Sequence, residues 1–380
     1  MKNIIPFSQH ARLGNDLQYV KKMLENNKTS SDGFFSKKVE QLLNKQLHIS
    51  GKTLLTTSCT HALEIAAILM NLKPGDEVIV PSYTFVSSAL AFHMHGAKIV
   101  FADIKANTLN IDETKLEKLI TKKTKAIVAV HYAGISCEMN EIMKIGKKYH
   151  LYIIEDNAHG IFGEYHNRKL GSIGHMSTFS FHKTKNISCG EGGALALNKP
   201  ELCDRAEIIR EKGTDRLKFL RGEVDKYTWV DKGSSYIMSD ILSAVLFNQL
   251  KLSKKIKFKR KSLWDSYHKN LKDWCNENDI TQPLVPSHCK QSYHMYYLLL
   301  PNHSLQKKFI NYLSKLKIKA VTHYQPLHTS PFIKKMSAYK GDYCPVTTDV
   351  SQRIVRLPLF YNMTNKQHSK VINDIDSFHC

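Results

Sequence analysis

Ser180-Phe181-His182-Lys183-Thr184-Lys185-Asn186, followed closely by Gly190-Glu191-Gly192-Gly193, sets a lysine-bearing segment between an apolar, β-like run and a glycine cluster. Upstream, the apolar run Leu151-Tyr152-Ile153-Ile154 leads to Asp156, and Thr60 opens a helix-like segment after Leu54-Leu55. From there the same alternation extends outward. Leu54-Leu55 precedes a helical pattern over 60–72, and Glu77-Val78-Ile79-Val80 precedes one over 84–95. Lys98-Ile99-Val100-Phe101 leads to 112–120, and the run 126–130 leads to 138–149. Short apolar runs alternating with amphipathic segments predict an α/β fold whose mostly parallel sheet is covered by helices on both faces. Turn signals stand between the elements, at Lys73-Pro74-Gly75-Asp76 and at His95-Gly96-Ala97.

After Lys185 the alternation weakens. The segment 239–271 predicts one long helix crossing between domains. Beyond it come a strand-like 293–300, a helix-like 305–316, a strand-like 318–322 and a final helix over 365–378. The expected organisation is a large α/β domain over 1–250 and a smaller C-terminal α+β domain over 251–380. A chain of 380 residues is long enough for both.

With 42% hydrophobic and 23% charged residues, the composition is that of a soluble globular enzyme. No apolar run is long enough to span a bilayer, so no membrane insertion is expected. Met1-Lys2-Asn3-Ile4-Ile5-Pro6 lacks the apolar core of a signal peptide, so a cytoplasmic location is expected. Cys59, Cys137, Cys189, Cys203, Cys275, Cys289, Cys344 and Cys380 contain no C-x-x-C pair. They predict neither a disulfide framework nor a structural metal. The formal charge of +21 is spread over lysine-rich helical segments, with 251–261 the densest. No finger spacing, basic arm or aromatic-interleaved motif accompanies it, so it reads as solvated helix faces and no nucleic-acid partner is expected. A positive field would still gather an anionic substrate.

Ligands of open α/β sheets sit at the carboxyl ends of the strands. Ser58-Cys59-Thr60-His61, Tyr83-Thr84-Phe85, His131-Tyr132, Asp156 and His159 all fall at such ends. Thr60 has two readings: the start of a helix whose free N–H groups suit a phosphate, or a plain N-cap. Asp156 is either a turn aspartate or the partner of a cationic ring nitrogen, and Phe85 either a core residue or a stacking platform. A reactive lysine, a carboxylate at a strand end and a helix N-terminus are together what pyridoxal 5'-phosphate requires.

A series of motifs in order strengthens that reading. They are Thr57-Ser58-Cys59-Thr60, Pro74-Gly75-Asp76-Glu77-Val78, Pro81-Ser82-Tyr83-Thr84-Phe85-Val86 and Val130-His131-Tyr132-Ala133-Gly134. There follow Ile154-Glu155-Asp156-Asn157-Ala158-His159, Ser180-Phe181-His182 through Lys185-Asn186, His323-Tyr324-Gln325-Pro326-Leu327-His328 and Leu357-Pro358-Leu359. In these the chain resembles the fold-type I, pyridoxal-phosphate-dependent nucleotide-sugar aminotransferases of the DegT type, over essentially its whole length. The resemblance implies that Lys185 holds the cofactor covalently and that Asp156 pairs with its pyridine nitrogen. It places His159 beside the phenolic oxygen, Phe85 on the ring, and Cys59, Thr60, His61 and Ser180 at the phosphate. The spacing from Ser180 that the family keeps implies Lys185 rather than Lys183. Many relatives supply an asparagine from a partner subunit to that phosphate. Ser235 stands at its position in Gly233-Ser234-Ser235-Tyr236-Ile237-Met238-Ser239-Asp240, which implies a homodimer with shared sites.

The implied substrates are L-glutamate and a nucleotide-linked keto sugar, with Arg216 and Tyr324 as candidate contacts to the latter. His323 and His328 are further candidates for the pocket wall. A lysine at 185 argues against the sugar-dehydratase branch, which carries histidine there. Lys185 and Asp156 together argue against a non-catalytic, cofactor-binding regulator. A lysine that moves a proton must have a depressed pKa, and that is the physical demand the structure has to meet.

Overall fold

The computed structural model describes residues 4–25, 29–336 and 344–379, so Cys380 lies outside the described chain. The apolar runs become strands: Lys52–Thr56 (β1), Glu77–Pro81 (β2), Lys98–Ala102 (β3), Thr124–Val130 (β4), Tyr152–Asp156 (β5), Met176–Ser180 (β6) and Gly193–Leu197 (β7). They form one sheet in the order β1-β7-β6-β5-β4-β2-β3. β7 runs antiparallel to β1 and β6, and the pairings among β2, β3, β4, β5 and β6 are parallel. The expected mostly parallel sheet is therefore present.

Both faces of the sheet are buried, which is why its strands read as continuous apolar runs. Val78, Val80, Val128 and Ile154 join one core with Ala62, Ile65 and Ala66 of the helix Cys59–Leu69. Ile79, Ile127, Ala129 and Ile153 join another with Ile142 and Ile145 of the helix Met139–Lys148. Successive residues thus feed opposite layers, the period of two that a pleated strand imposes.

The helices end before their expected C-terminal boundaries. The helix Cys59–Leu69 stops short of Lys73-Pro74, since a residue before proline disfavours helical backbone. The helix predicted over 84–95 occupies Ser87–His93, leaving Thr84, Phe85 and Val86 in the lead-in at the end of β2. Only short turns, Glu113–Lys115 and Leu116–Leu119, occupy 112–120.

The single helix expected over 239–271 is two, Asp240–Lys251 and Ser253–Asn270, broken at Leu252, which has φ −102° and ψ 12°. The break separates two packing tasks. Leu246, Leu250 and Ile256 pack with Phe179 and Phe181 near the sheet, whereas Leu263, Trp264 and Tyr267 belong to a C-terminal core. That core surrounds the antiparallel pair Tyr296–Leu299 (β8) and Ile354–Leu357 (β9) and the helices His303–Lys315 and Asn365–Asp376. The last helix opens on a reciprocal capping box between Thr364 and Gln367. In place of the strand expected over 318–322 there are isolated bridges, Ile5 to Ile318 and Val321 to Arg356. Ile5, expected with the large domain, packs into the C-terminal core and draws Phe7 toward the cleft.

A buried ion network fixes the end of β1 beside the cleft. Arg210 reaches Asp32 at 2.8 Å and Glu40 at 2.9 Å, and Glu40 accepts the N–H of Leu55 at 3.0 Å. Removing one member strands the others without a counter-charge. Arg210→Met is expected to lower unfolding stability by about 3–5 kcal/mol, with partial recovery when Glu40→Met is added, as read by urea titration.

Candidate active site

The strand register brings the chemistry to one end of the sheet. Pairing of Val130 with Asp156 and of Asp156 with Thr178 sets the carboxyl ends of β4, β5 and β6 side by side. A cavity of about 450 Å³ opens there. Of the residues expected from sequence, Cys59, Thr60, Phe85, Asp156, His159, Ser180, Lys185 and Tyr324 line it, as does His323. Lys183 is exposed and off the wall, so the geometry separates the two lysines.

The helix start belongs to Ser58 rather than Thr60. Ser58 is the N-cap, with extended backbone, and its Oγ accepts the N–H of His61 at 3.1 Å. The His61 amide, expected at the phosphate, is therefore already used, and its ring lies off the cavity, tilted against Tyr236 at 5.0 Å. The amides of Cys59 and Thr60 have no acceptor among the described residues, which leaves an anion site at the helix N-terminus. Thr60 Oγ1 shares a hydrogen bond with Ser87 Oγ at 2.7 Å, and Ser180 faces the same space from β6. Gly193 makes this cradle possible. A Cβ there would stand 2.4 Å from the backbone nitrogen of Cys59, so no side chain fits between β7 and the helix start.

Asp156 is 5% exposed. Its Oδ2 accepts from Ser88 Oγ at 2.6 Å and its Oδ1 from the amide of Ala158 at 3.2 Å, while Ser88 in turn shares a bond with Thr84 at 2.8 Å. No cation among the described residues pairs with this carboxyl, so it is free to take a protonated ring nitrogen. The preceding residue has the opposite fate. Glu155 accepts N–H groups from Gly171, Ile173 and Gly174 and a bond from His131 Nε2 at 2.9 Å, so it is spent on holding the chain.

Lys185 is half-buried, and desolvation pushes its amine down to about 8. Cys59 and Asp156 oppose that shift, and Arg356 adds to it. His159 is held well below the usual histidine range by burial, with Lys185 and Arg356 adding to the effect. Its Nδ1 is buried without a partner among the described residues, its Nε2 meets Tyr324 Oη at 3.3 Å, and its ring stacks on His294 at 4.2 Å. Tyr324 carries φ +21°, a conformation rare outside glycine, next to His323, whose Nδ1 bonds Tyr132 Oη at 2.7 Å. Phe85 is 57% exposed and presents its ring to the cleft.

Besides His61, three further expected residues lie off this cavity. Ser235 is exposed and bridges the backbone of Glu211. Arg216 stands 3.6 Å from Glu211 Oε2. His328 shares a hydrogen bond with Ser82 at 2.6 Å. Sequence reading named Ser58 at the strand end without its capping role, and missed Ser88, His294, Phe7 and Arg356. Ser88 stood one helical turn from Thr84, and Arg356 was the lone charge within the apolar run Ile354-Val355-Arg356-Leu357.

A free carboxyl, a low-pKa lysine, an orphan imidazole nitrogen and an open helix N-terminus describe a pyridoxal-phosphate site. The profile of the DegT/DnrJ/EryC1/StrS aminotransferase family matches residues 12–376. The chain is 30% identical over 379 residues to GDP-perosamine synthase of Escherichia coli O157:H7, covering 99% of this chain and 98% of that one. Helicobacter pylori PseC, an aminotransferase involved in the biosynthesis of pseudoaminic acid, superposes with a TM-score of 0.89 at 29% identity, covering 98% of each chain. Spr1654 of Streptococcus pneumoniae, solved in its PMP form, superposes at 0.90 with 25% identity and 98% of each chain covered. The chain belongs to the DegT/DnrJ/EryC1/StrS family of sugar aminotransferases, fold-type I enzymes that depend on pyridoxal phosphate.

Two measurements test this site. Capture of pyridoxal phosphate by the cofactor-free protein is expected to quicken with pH around a midpoint near 8, where Lys185 loses its proton, and to vanish in Lys185→Ala. Stopped-flow absorbance reads both. Asp156→Asn keeps the shape but removes the charge, and is expected to weaken cofactor binding by about 1.5–3 kcal/mol, measured by equilibrium dialysis.

Proposed function

We propose that the protein transfers an amino group from L-glutamate to the 4-keto carbon of dTDP-4-keto-6-deoxy-D-glucose. The product is dTDP-4-amino-4,6-dideoxy-D-galactose, destined for a surface polysaccharide of the enterobacterial common antigen type. The observation that carries the transamination is the depressed amine of Lys185 in one cavity with the cation-free carboxyl of Asp156. Support for this sugar comes from three stretches similar to dTDP-4-amino-4,6-dideoxygalactose transaminase. They are Ile208-Ile209-Arg210-Glu211-Lys212-Gly213-Thr214-Asp215-Arg216, Val224-Asp225-Lys226-Tyr227-Thr228-Trp229, and His131-Tyr132-Ala133-Gly134 with Cys137-Glu138-Met139. The identity with GDP-perosamine synthase and a loop after Lys185 that is a residue shorter than in the dTDP enzyme favour a second reading. In it the substrate is another nucleotide-linked 3- or 4-keto sugar.

Bound pyridoxal phosphate supplies an electron-withdrawing ring that stabilises negative charge on the carbon that loses its proton. Asp156 keeps the ring nitrogen protonated, and Ser88 and the Ala158 amide orient Asp156. The amides of Cys59 and Thr60, with Ser180, would hold the phosphate, and Phe85 offers a ring face on the same cavity wall. Lys185, neutral in most molecules only above its depressed pKa near 8, would take the proton from the donor carbon and hand it on within the site. His159 stays uncharged, and its unpartnered Nδ1 would be the group to meet the phenolic oxygen of the bound cofactor. In the second half-reaction Lys185 runs the same transfer in reverse, toward the sugar.

A homodimer with shared sites belongs to the same proposal. Trp229 is 80% exposed, and Phe219, Leu220 and Tyr227 are exposed near it, which supports a second copy covering that surface. Ser235 would then serve the neighbouring phosphate and Arg216 the nucleotide diphosphate.

The test is an absorbance spectrum of the holoenzyme through two additions. The visible band of the bound cofactor is expected to fall with L-glutamate and return with dTDP-4-keto-6-deoxy-D-glucose. A fall that only another nucleotide-linked keto sugar reverses would replace the substrate and keep the chemistry.

A further inference from the structure

A second cavity, of about 560 Å³, lies away from the active site, between the helix Ser253–Asn270 and the segment 283–293. The two cavities have no lining residue in common. Trp264, Tyr293 and Val285 give the second one an apolar side, and Lys257, Lys261 and Lys290 a cationic one. Asp265 is the one carboxylate lining it among the described residues, and Lys261 takes it. Lys290 is held by Glu164 at 2.8 Å and by Asn167 at 2.9 Å. Lys257 donates to the carbonyl of Phe162 at 2.6 Å, and no carboxylate among the described residues forms an ion pair with it. Trp264, 6% exposed, and Gln291, 3% exposed, each keep a polar atom without a partner among the described residues. These are the Nε1 donor of the indole and the Oε1 acceptor of the amide. His268 stacks on Trp264 at 4.8 Å, leaves its own Nδ1 unpartnered there, and is pushed toward neutrality by burial.

One strip of chain serves both cavities. Gln291 and Tyr293 line the second, while Ser292 and His294 meet His159 at the first. Ser292 Oγ donates to the carbonyl of His159 at 2.5 Å, and His294 stacks on the His159 ring. Asn186, next to Lys185, donates to the carbonyl of Ser292 at 2.8 Å. From the helix on the other side, Arg260 donates to the carbonyls of Tyr293, at 2.9 Å, and His294, at 2.5 Å. We propose that the second cavity is a regulatory site for a nucleoside diphosphate, felt at His159 and Lys185 through residues 291–294. The aromatic side accepts a flat base, and the indole N–H and amide oxygen offer its polar edge one donor and one acceptor. Phosphate oxygens then complete the lysine side, where Lys257 lacks a counter-charge. A hydrocarbon would leave the buried polar atoms unsatisfied, and a small anion alone would leave the aromatic side empty. The proposal does not depend on which sugar the enzyme aminates.

The experiment is equilibrium dialysis of the holoenzyme with dTDP and with GDP, since the wall selects a flat ring rather than one base. It compares the unsubstituted protein with Lys257→Gln and Gln291→Leu at the second cavity and with Phe85→Ala at the first. Lys257→Gln keeps a donor for Phe162 and is expected to weaken one nucleotide equivalent per chain on the order of 10-fold. Gln291→Leu removes the acceptor and is expected to weaken the same equivalent by about fivefold. Melting temperatures of both are expected to hold, and Phe85→Ala is expected to leave that equivalent in place. Bound nucleotide is expected to slow hydrogen exchange over 289–294 in the unsubstituted protein and in Phe85→Ala. At the same nucleotide concentration, Lys257→Gln is expected to lose that protection. Binding that neither second-cavity variant weakens would overturn the proposal, as would no binding at all. Inorganic pyrophosphate binding as tightly as the nucleotides would overturn the place given to the base, leaving an anion site. Unchanged exchange over 289–294 with the second cavity filled would overturn the link to the active site. Neither readout requires turnover, so failure of the transamination reading shows separately, in the absorbance test.

Discussion

The structure depends on a competition over one proton at Lys185. Burial removes it, and the charge of Asp156 favours keeping it. Burial prevails, so the amine is poised near 8 in a cavity that also holds a carboxyl. Had Lys185 and Asp156 closed into an ion pair, both would have been spent on each other. Ser88 and Ala158 prevent that by occupying the carboxyl oxygens with neutral donors, which orient Asp156 without neutralising it. Sheet topology supplies the rest. Parallel pairing of β5 with β6 delivers the carboxyl and the lysine-bearing turn to the same end, and the reversed β7 brings Gly193 against the helix start at Ser58 and Cys59.

Around this point the molecule divides its polar groups into two kinds. Glu155 and Asp103 are fully engaged: Asp103, for example, takes the amides of Val346 and Thr347 and so ties the end of β3 to the helix Pro345–Arg353. His159 Nδ1, Arg356 Nε and the first-turn amides of Cys59 and Thr60 are left open. Buried polar groups are normally satisfied, and each open one lowers stability. That these lie on one cavity wall makes them the mould of what binds there.

Sequence reading reached the wall through strand ends. Asp156, His159, Thr60 and Lys185 were found because each follows an apolar run or begins a helical one. Contacts that depend on distant chain segments were not reachable that way. Ser88 meets Asp156 across 68 residues, and His294 stacks on His159 from the C-terminal half. The helix cap was misplaced by two residues because serine and threonine both serve as caps, and the Ser58–His61 bond decides between them. The break at Leu252 was invisible because the amphipathic pattern continues across it while the partner core changes.

What the sequence by itself determined is the local chemistry: which runs are extended and which residues end them. Both follow from short-range periodicity and turn preference, which need no partner. The choice of Lys185 over Lys183 came from the family resemblance. The tertiary structure decided the electrostatics. The pKa of Lys185, the neutrality of His159 and the unpaired state of Arg356 come from burial and from neighbours tens or hundreds of residues away. Desolvation is a property of the packed volume around a group, and no linear pattern of residues carries it.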